Sequence, residues 1–267
     1  MHAPPPPASP DPNGSTADPP PWPLTEPGPH AGTIVWTIDL ALSEADLALC
    51  TATLSAEERA RMARYLRLED RARFAASHAA TRLILGRALG CDPRDLAFTA
   101  APGGKPALAG ASLAFNLSHS GRRALVGLST EAPLGVDVES VRPLPDALRI
   151  ALGHFAPDET AALARLDGPA REAAFFALWT RKEAVVKALG AGLALPLTRF
   201  SVSLPPGPPC LLRLDAGREH AMAGDPGTWS LHHLEPGPGT VGALAAAGSV
   251  KALARRALPP NWPAWLP

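Results

Sequence analysis

Three stretches place ionisable side chains at spacings that chemistry can use. In Gly135-Val136-Asp137-Val138-Glu139, strand alternation sends Val136 and Val138 into a core and leaves Asp137 and Glu139 on one shared face. Two carboxylates side by side repel unless a cation sits between them, and Mg2+, a hard ion with oxygen ligands, meets that need. An amphipathic strand with a wet acidic face would look the same. In Trp179-Thr-Arg-Lys182-Glu183-Ala-Val-Val-Lys187, positions 179, 183 and 187 line one helical stripe. That stripe offers a metal ligand, a base and a phosphate clamp, but Glu followed by Lys at i+4 is also the favoured pair of a plain helix surface. Asn116-Leu-Ser118-His119-Ser120-Gly121 ends a strand in a turn. Adjacent side chains on an extended chain point apart, which disfavours a Ser-His nucleophile pair. A hydroxyl and an imidazole offered to a phosphate is better chemistry; a turn whose serines satisfy backbone groups is the alternative.

Two further features are basic. Gly103-Gly104-Lys105-Pro106 sets a cation in a tight loop without phosphate-binding P-loop spacing. Between Arg59 and Arg87 lie eight arginines against Glu69 and Asp70. Arginine forks suit phosphates and carboxylates, and a solvated helix face reads the same way. This local charge sits in a chain whose 25 Lys+Arg balance 25 Asp+Glu, so bulk attraction to nucleic acid or to a membrane surface is disfavoured. Cys50, Cys91 and Cys210 are too few and too scattered for a disulfide framework and suit a reducing compartment. No run approaches the ~20 apolar residues of a membrane span, and the N-terminus does not read as a signal peptide, so the expected location is the cytoplasm.

The elements that must position these residues are of mixed type. Twelve of the 32 prolines fall within Met1–His30, which reads as a disordered leader. Thr33–Leu40 alternates as a strand, Ser43 and Ser55 open two helices, and Ser55-x-x-Glu58 fits a capping box. Longer helices are expected over 69–89 and 169–189, with a shorter one over 157–166. Strands are expected at 113–117, 124–128, 135–139, 200–204, 211–214, 229–234 and 240–245. A Gly-bearing turn followed by a small-residue strand occurs at 120–129 and again at 235–245, suggesting a duplicated α+β unit. The expected layout is a leader over 1–32, an N-terminal half over 33–132, a C-terminal half over 133–257 and a Pro-rich tail over 258–267.

Taken in order, Gly-Lys105-Pro106, Phe-Asn-Leu-Ser118-His119-Ser-Gly, Gly-Val-Asp137-Val-Glu139 and Trp179-x-x-Lys182-Glu183-Ala-x-x-Lys187 resemble the 4′-phosphopantetheinyl transferase superfamily, surfactin-synthetase type. Gly192-Leu-x-Leu-Pro-Leu and the closing Gly-Thr-Val-Gly-Ala strand agree. The resemblance implies a pseudo-twofold α+β monomer with coenzyme A between its halves, moving the phosphopantetheine arm onto a serine of an acyl or peptidyl carrier protein. It implies that Asp137, Glu139 and Glu183 hold Mg2+ and that Glu183 helps to deprotonate the serine. Lys187 is assigned to the pyrophosphate and His119 to a phosphate. Lys105, Arg73 and Arg61 are assigned to the 3′-phosphate end, with Pro106, Ser118 and Lys182 also at the coenzyme site. One family position often basic is Glu58 here, which the capping box explains. Another Mg2+-dependent phosphotransferase or hydrolase acting on coenzyme A, or a non-catalytic carrier-binding homologue, are the rival readings.

Overall fold

The computed structural model describes residues 32–110, 113–190, 192, 195–215 and 224–267. The expected leader and part of the Gly192-Leu-x-Leu-Pro-Leu run lie outside the described residues. The chain starts with β1 (Thr33–Asp39), α1 (Glu44–Thr53), α2 (Ala56–Ala63) and α3 (Leu68–Leu89). A small hairpin of β2 (Phe98–Ala100) and β3 (Pro106–Leu108) precedes a long one of β4 (Ala114–Ser120) and β5 (Arg123–Ser129). The same order then recurs: β6 (Leu134–Ser140), α4 (Ala147–His154), α5 (Pro157–Ala164) and α6 (Gly168–Leu189). Again there is a small hairpin, β7 (Phe200–Val202) with β8 (Leu211–Leu214), then β9 (Ser230–Leu234) with β10 (Thr240–Ala246). This is an α+β fold built on a repeated unit. A closing strand, β11 (Leu253–Ala257), is added.

The pairings repeat as well. In each half the first strand runs antiparallel to the last: β1 against β5 and β6 against β10. The sheets are ordered β11-β1-β5-β4 and β6-β10-β9. Local sequence sets the helix ends. Ser43 accepts from the Asp46 amide, and Ser55 and Glu58 form the reciprocal capping box. The long helices α3 and α6, 22 residues each, stop at Gly90 and Gly190, both in the left-handed conformation that glycine adopts without strain.

Three apolar clusters hold these parts. One joins α3 to the first sheet, a second surrounds α6, and a third lies between the sheets and includes Val35, Leu125, Val136, Val138 and Leu244. Three features depart from the sequence reading. The strand at 253–257, placed with the C-terminal half, runs parallel to β1 in the N-terminal sheet. Beyond it, Leu258 and Trp262 of the Pro-rich tail are buried in the N-terminal core. And the second face of β6 is not a wet surface: Asp137 is buried, because α6 packs against the strand. Gly135 makes that approach possible, since a Cβ there would collide with the Ala184 carbonyl and the Ala188 amide.

Candidate active site

β6 and α6 supply the acidic and basic groups, and β4 closes the site from the other half. Lys187 Nζ lies 2.6 Å from Asp137 Oδ1 and donates to Ser118 Oγ at 3.0 Å, while Ser118 Oγ donates to Asp137 Oδ1 at 2.9 Å. Lys187 thus pairs across the gap between α6 and β6 rather than with Glu183 on a helix surface. Trp179, at the other end of the stripe, packs with Phe155 and Phe175. Ser120 Oγ donates to Glu139 Oε2 at 2.8 Å, and Arg142 stands 3.9 Å from the same oxygen.

The electrostatics follow from burial. Asp137 is 5% exposed, and desolvation raises its carboxyl to about 6 despite Lys187 and Ser118, with Glu183 adding to the rise. Glu183 is likewise raised, first by burial and then by Glu139, with Lys187 opposing. Glu183 thus acts on Asp137, and Glu139 on Glu183. Asp137 Oδ2 is buried with no hydrogen-bond partner. Such an oxygen is costly unless something else coordinates it. Among the described residues, no three His, Cys, Asp or Glu side chains converge closely enough to cage a metal unaided. An all-oxygen set with one orphaned carboxylate oxygen still fits Mg2+, which is usually held by one or two carboxylates together with substrate phosphates and water.

The other predicted residues divide. Lys105 Nζ reaches from the N-terminal half to the Leu134 carbonyl at the start of β6, 2.6 Å away, and burial lowers its ammonium to about 8. Pro106 begins β3 beside it and is exposed. His119 is pulled below the usual histidine range by desolvation, then by His78, Lys187 and Arg73. Positive charge on both long helices, Arg73 on α3 and Lys187 on α6, thus acts on it, with Asp70 opposing. Arg73 pairs with Asp70 at 2.9 Å and with Glu69 at 3.2 Å, and Arg61 lies over the Phe74 ring. Lys182 does not join this group. Its side chain is fully buried on the opposite side of α6, 2.6 Å from Glu159 Oε2 and 2.6 Å from the Phe200 carbonyl. Consecutive helix residues are about 100° apart, so Lys182 cannot share the face of Glu183. Its assignment to coenzyme binding is corrected to a core ion pair.

Sequence reasoning gave no role to a network around Glu58. This carboxylate meets His78 Nδ1 at 3.0 Å and Arg82 Nε at 2.7 Å, besides the Ser55 amide. Burial alone would raise it, but these partners together lower it to about 2. The visible signal was the capping box, Ser55-x-x-Glu58, which places Glu58 at the start of α2.

Comparison with known proteins decides the family. Residues 133–236 match the model of the 4′-phosphopantetheinyl transferase superfamily, and residues 41–131 match that of the 4′-phosphopantetheinyl transferase N-terminal region. The 4′-phosphopantetheinyl transferase HetI of Nostoc sp. is 36% identical over 218 residues, covering 80% of this chain and 87% of that one. The chain belongs to the 4′-phosphopantetheinyl transferase superfamily. Within it, the Bacillus subtilis transferase Sfp is 32% identical over 168 residues, 62% of this chain and 74% of its own. A Synechocystis sp. relative is 45% identical over 146 residues, 54% of this chain but only 59% of that one. The two family models meet at the junction between β5 and β6, where the repeated element order begins again. The protein is a transferase of the Sfp type.

Proposed function

We propose that the site formed by β4, β6 and α6 transfers the 4′-phosphopantetheine arm of coenzyme A to a serine of an acyl or peptidyl carrier protein, with Mg2+, releasing adenosine 3′,5′-bisphosphate. The observation that carries this reading is the buried Oδ2 of Asp137, which has no hydrogen-bond partner while Lys187 and Ser118 hold Oδ1 and Glu183 acts on the same carboxylate. Asp137, Glu139 and Glu183 would hold the cation, which when bound neutralises charge on the pyrophosphate oxygens. Glu183, more basic than an ordinary carboxylate, accepts the proton of the attacking serine hydroxyl directly or through water. The serine oxygen bonds to the phosphorus that carries the pantetheine arm, and the bond from that phosphorus to the bridging oxygen breaks. Lys187 supplies a compact positive charge where the departing phosphate becomes more negative. His119, Lys105, Arg73 and Arg61 bind the remaining phosphate charge, including the 3′-phosphate.

Side chains of both halves of one chain meet at this site, so a monomer is the working unit we propose. Cys50, Cys91 and Cys210 are free thiols, consistent with a cytoplasmic site of action. Among the described residues, no helix is long and apolar enough to cross a membrane. Purified protein incubated with coenzyme A, Mg2+ and a panel of carrier proteins should yield carriers heavier by one phosphopantetheine and an equal amount of adenosine 3′,5′-bisphosphate. Coenzyme A cleavage without any carrier gaining mass would instead identify a hydrolase.

A further inference from the structure

The two halves meet along β4 and β6, yet these neighbouring strands belong to different sheets. β4 spends its backbone ladder on β5, paired from Ala114 with Ser129 to Ser120 with Arg123. Toward β6 it presents side chains instead. Asn116 Oδ1 accepts from the Val136 amide at 2.8 Å, and Ser118 Oγ donates to Asp137 Oδ1 at 2.9 Å. Ser120 Oγ donates to Glu139 Oε2 at 2.8 Å and accepts from the Ser140 amide at 3.2 Å. Three alternating residues of one strand, all on one side by the period of the pleat, replace a ladder that the sheets do not make. They satisfy two amides of β6, and each serine also takes hold of one carboxylate.

We propose that Asn116, Ser118 and Ser120 are positioning residues: a side-chain zipper that joins the halves and orients the carboxylates of Asp137 and Glu139 toward a shared divalent cation. Asn116 anchors the register, because its single acceptor meets a β6 amide and touches no charged group. The serines set the carboxylate rotation. With Oδ1 of Asp137 held by Ser118 and Lys187, the other oxygen is left buried without a hydrogen-bond partner. Removing a partner that orients a metal ligand costs ~10–100-fold in metal affinity. The proposal rests on the Mg2+ reading above.

Its test is calorimetric titration of Mg2+ into the full chain with coenzyme A and no carrier, beside thermal melting. Ser120→Ala should bind Mg2+ ~10–100-fold more weakly, while Ser120→Thr, which restores the hydroxyl, should recover most of that loss. Asn116→Ala, although it touches neither carboxylate, should also weaken Mg2+ severalfold by freeing the register. In carrier modification the Ser120→Ala defect should appear mainly as a higher half-saturating Mg2+ concentration rather than a lower kcat. Unchanged Mg2+ affinity in either alanine variant overturns the zipper, as does a loss in Ser120→Ala that threonine fails to repair. An unsubstituted protein that ignores Mg2+ overturns the metal reading itself and the proposal with it.

Discussion

At Asp137 a carboxylate occupies a place that penalises its charge. Burial raises it to about 6, against the pull of Lys187 and Ser118. An unfolded aspartate titrates near ~3.9, so between these values the folded state binds more protons than the unfolded one. The favourable contribution of this group is therefore complete below the unfolded value and is lost as pH rises through about 6. Asp137→Asn keeps the shape and removes the penalty. In metal-free buffer near pH ~7.5 it should melt at or above the unsubstituted protein, and the difference should shrink toward pH ~5. Under the proposed metal site, transfer should nevertheless be lost, because the cation would lose a ligand. Thermal melts in chelator at the two pH values check the sign, and a variant that melts far lower at the higher pH would contradict it.

α6 shows how far a helical pattern can be read. Glu183 and Lys187, four residues apart, share a face of α6, and from that face Lys187 reaches Asp137 and Ser118. Lys182 is misread because a motif lists residues in order and ignores the direction of each side chain. Its true partner, Glu159, is far away in sequence; the same carboxylate accepts from the Ala156 and Val202 amides. One buried group thereby ties α5, α6 and β7 together. Burial pulls the Lys182 ammonium below the usual lysine range even beside Glu159. Lys182→Met should cost ~3–5 kcal/mol, because it strands a buried carboxylate. Lys182→Met with Glu159→Gln should cost less than the sum of the two single changes. Urea unfolding of the three variants measures this. A phosphate-binding Lys182 would instead raise KM for coenzyme A and leave stability alone. The helix α4 and the three-residue strands β2 and β3 received no sequence reading.

Across the whole molecule the duplication is legible in the sequence, because the hairpins β4-β5 and β9-β10 share a Gly-bearing turn and a small-residue strand. The closure of the chain is not. Leu253-Ala-Arg-Arg-Ala has no apolar alternation, and long-range parallel pairing with β1 makes it a strand. The following prolines suggest a loose tail, yet Trp262 is 1% exposed. Trp262→Ala should remove ~3–5 kcal/mol from the N-terminal half, a loss readable by urea unfolding, whereas a dispensable tail predicts almost no change. Lys187 connects the halves, rising from α6 to meet Asp137 on β6 and Ser118 on β4. The most direct test of the account is the rate of carrier modification by Lys187→Ala at saturating coenzyme A and Mg2+, followed by carrier mass. We predict a ~10²–10³-fold loss with the fold retained in a thermal melt; a near-normal rate would contradict the proposed active site.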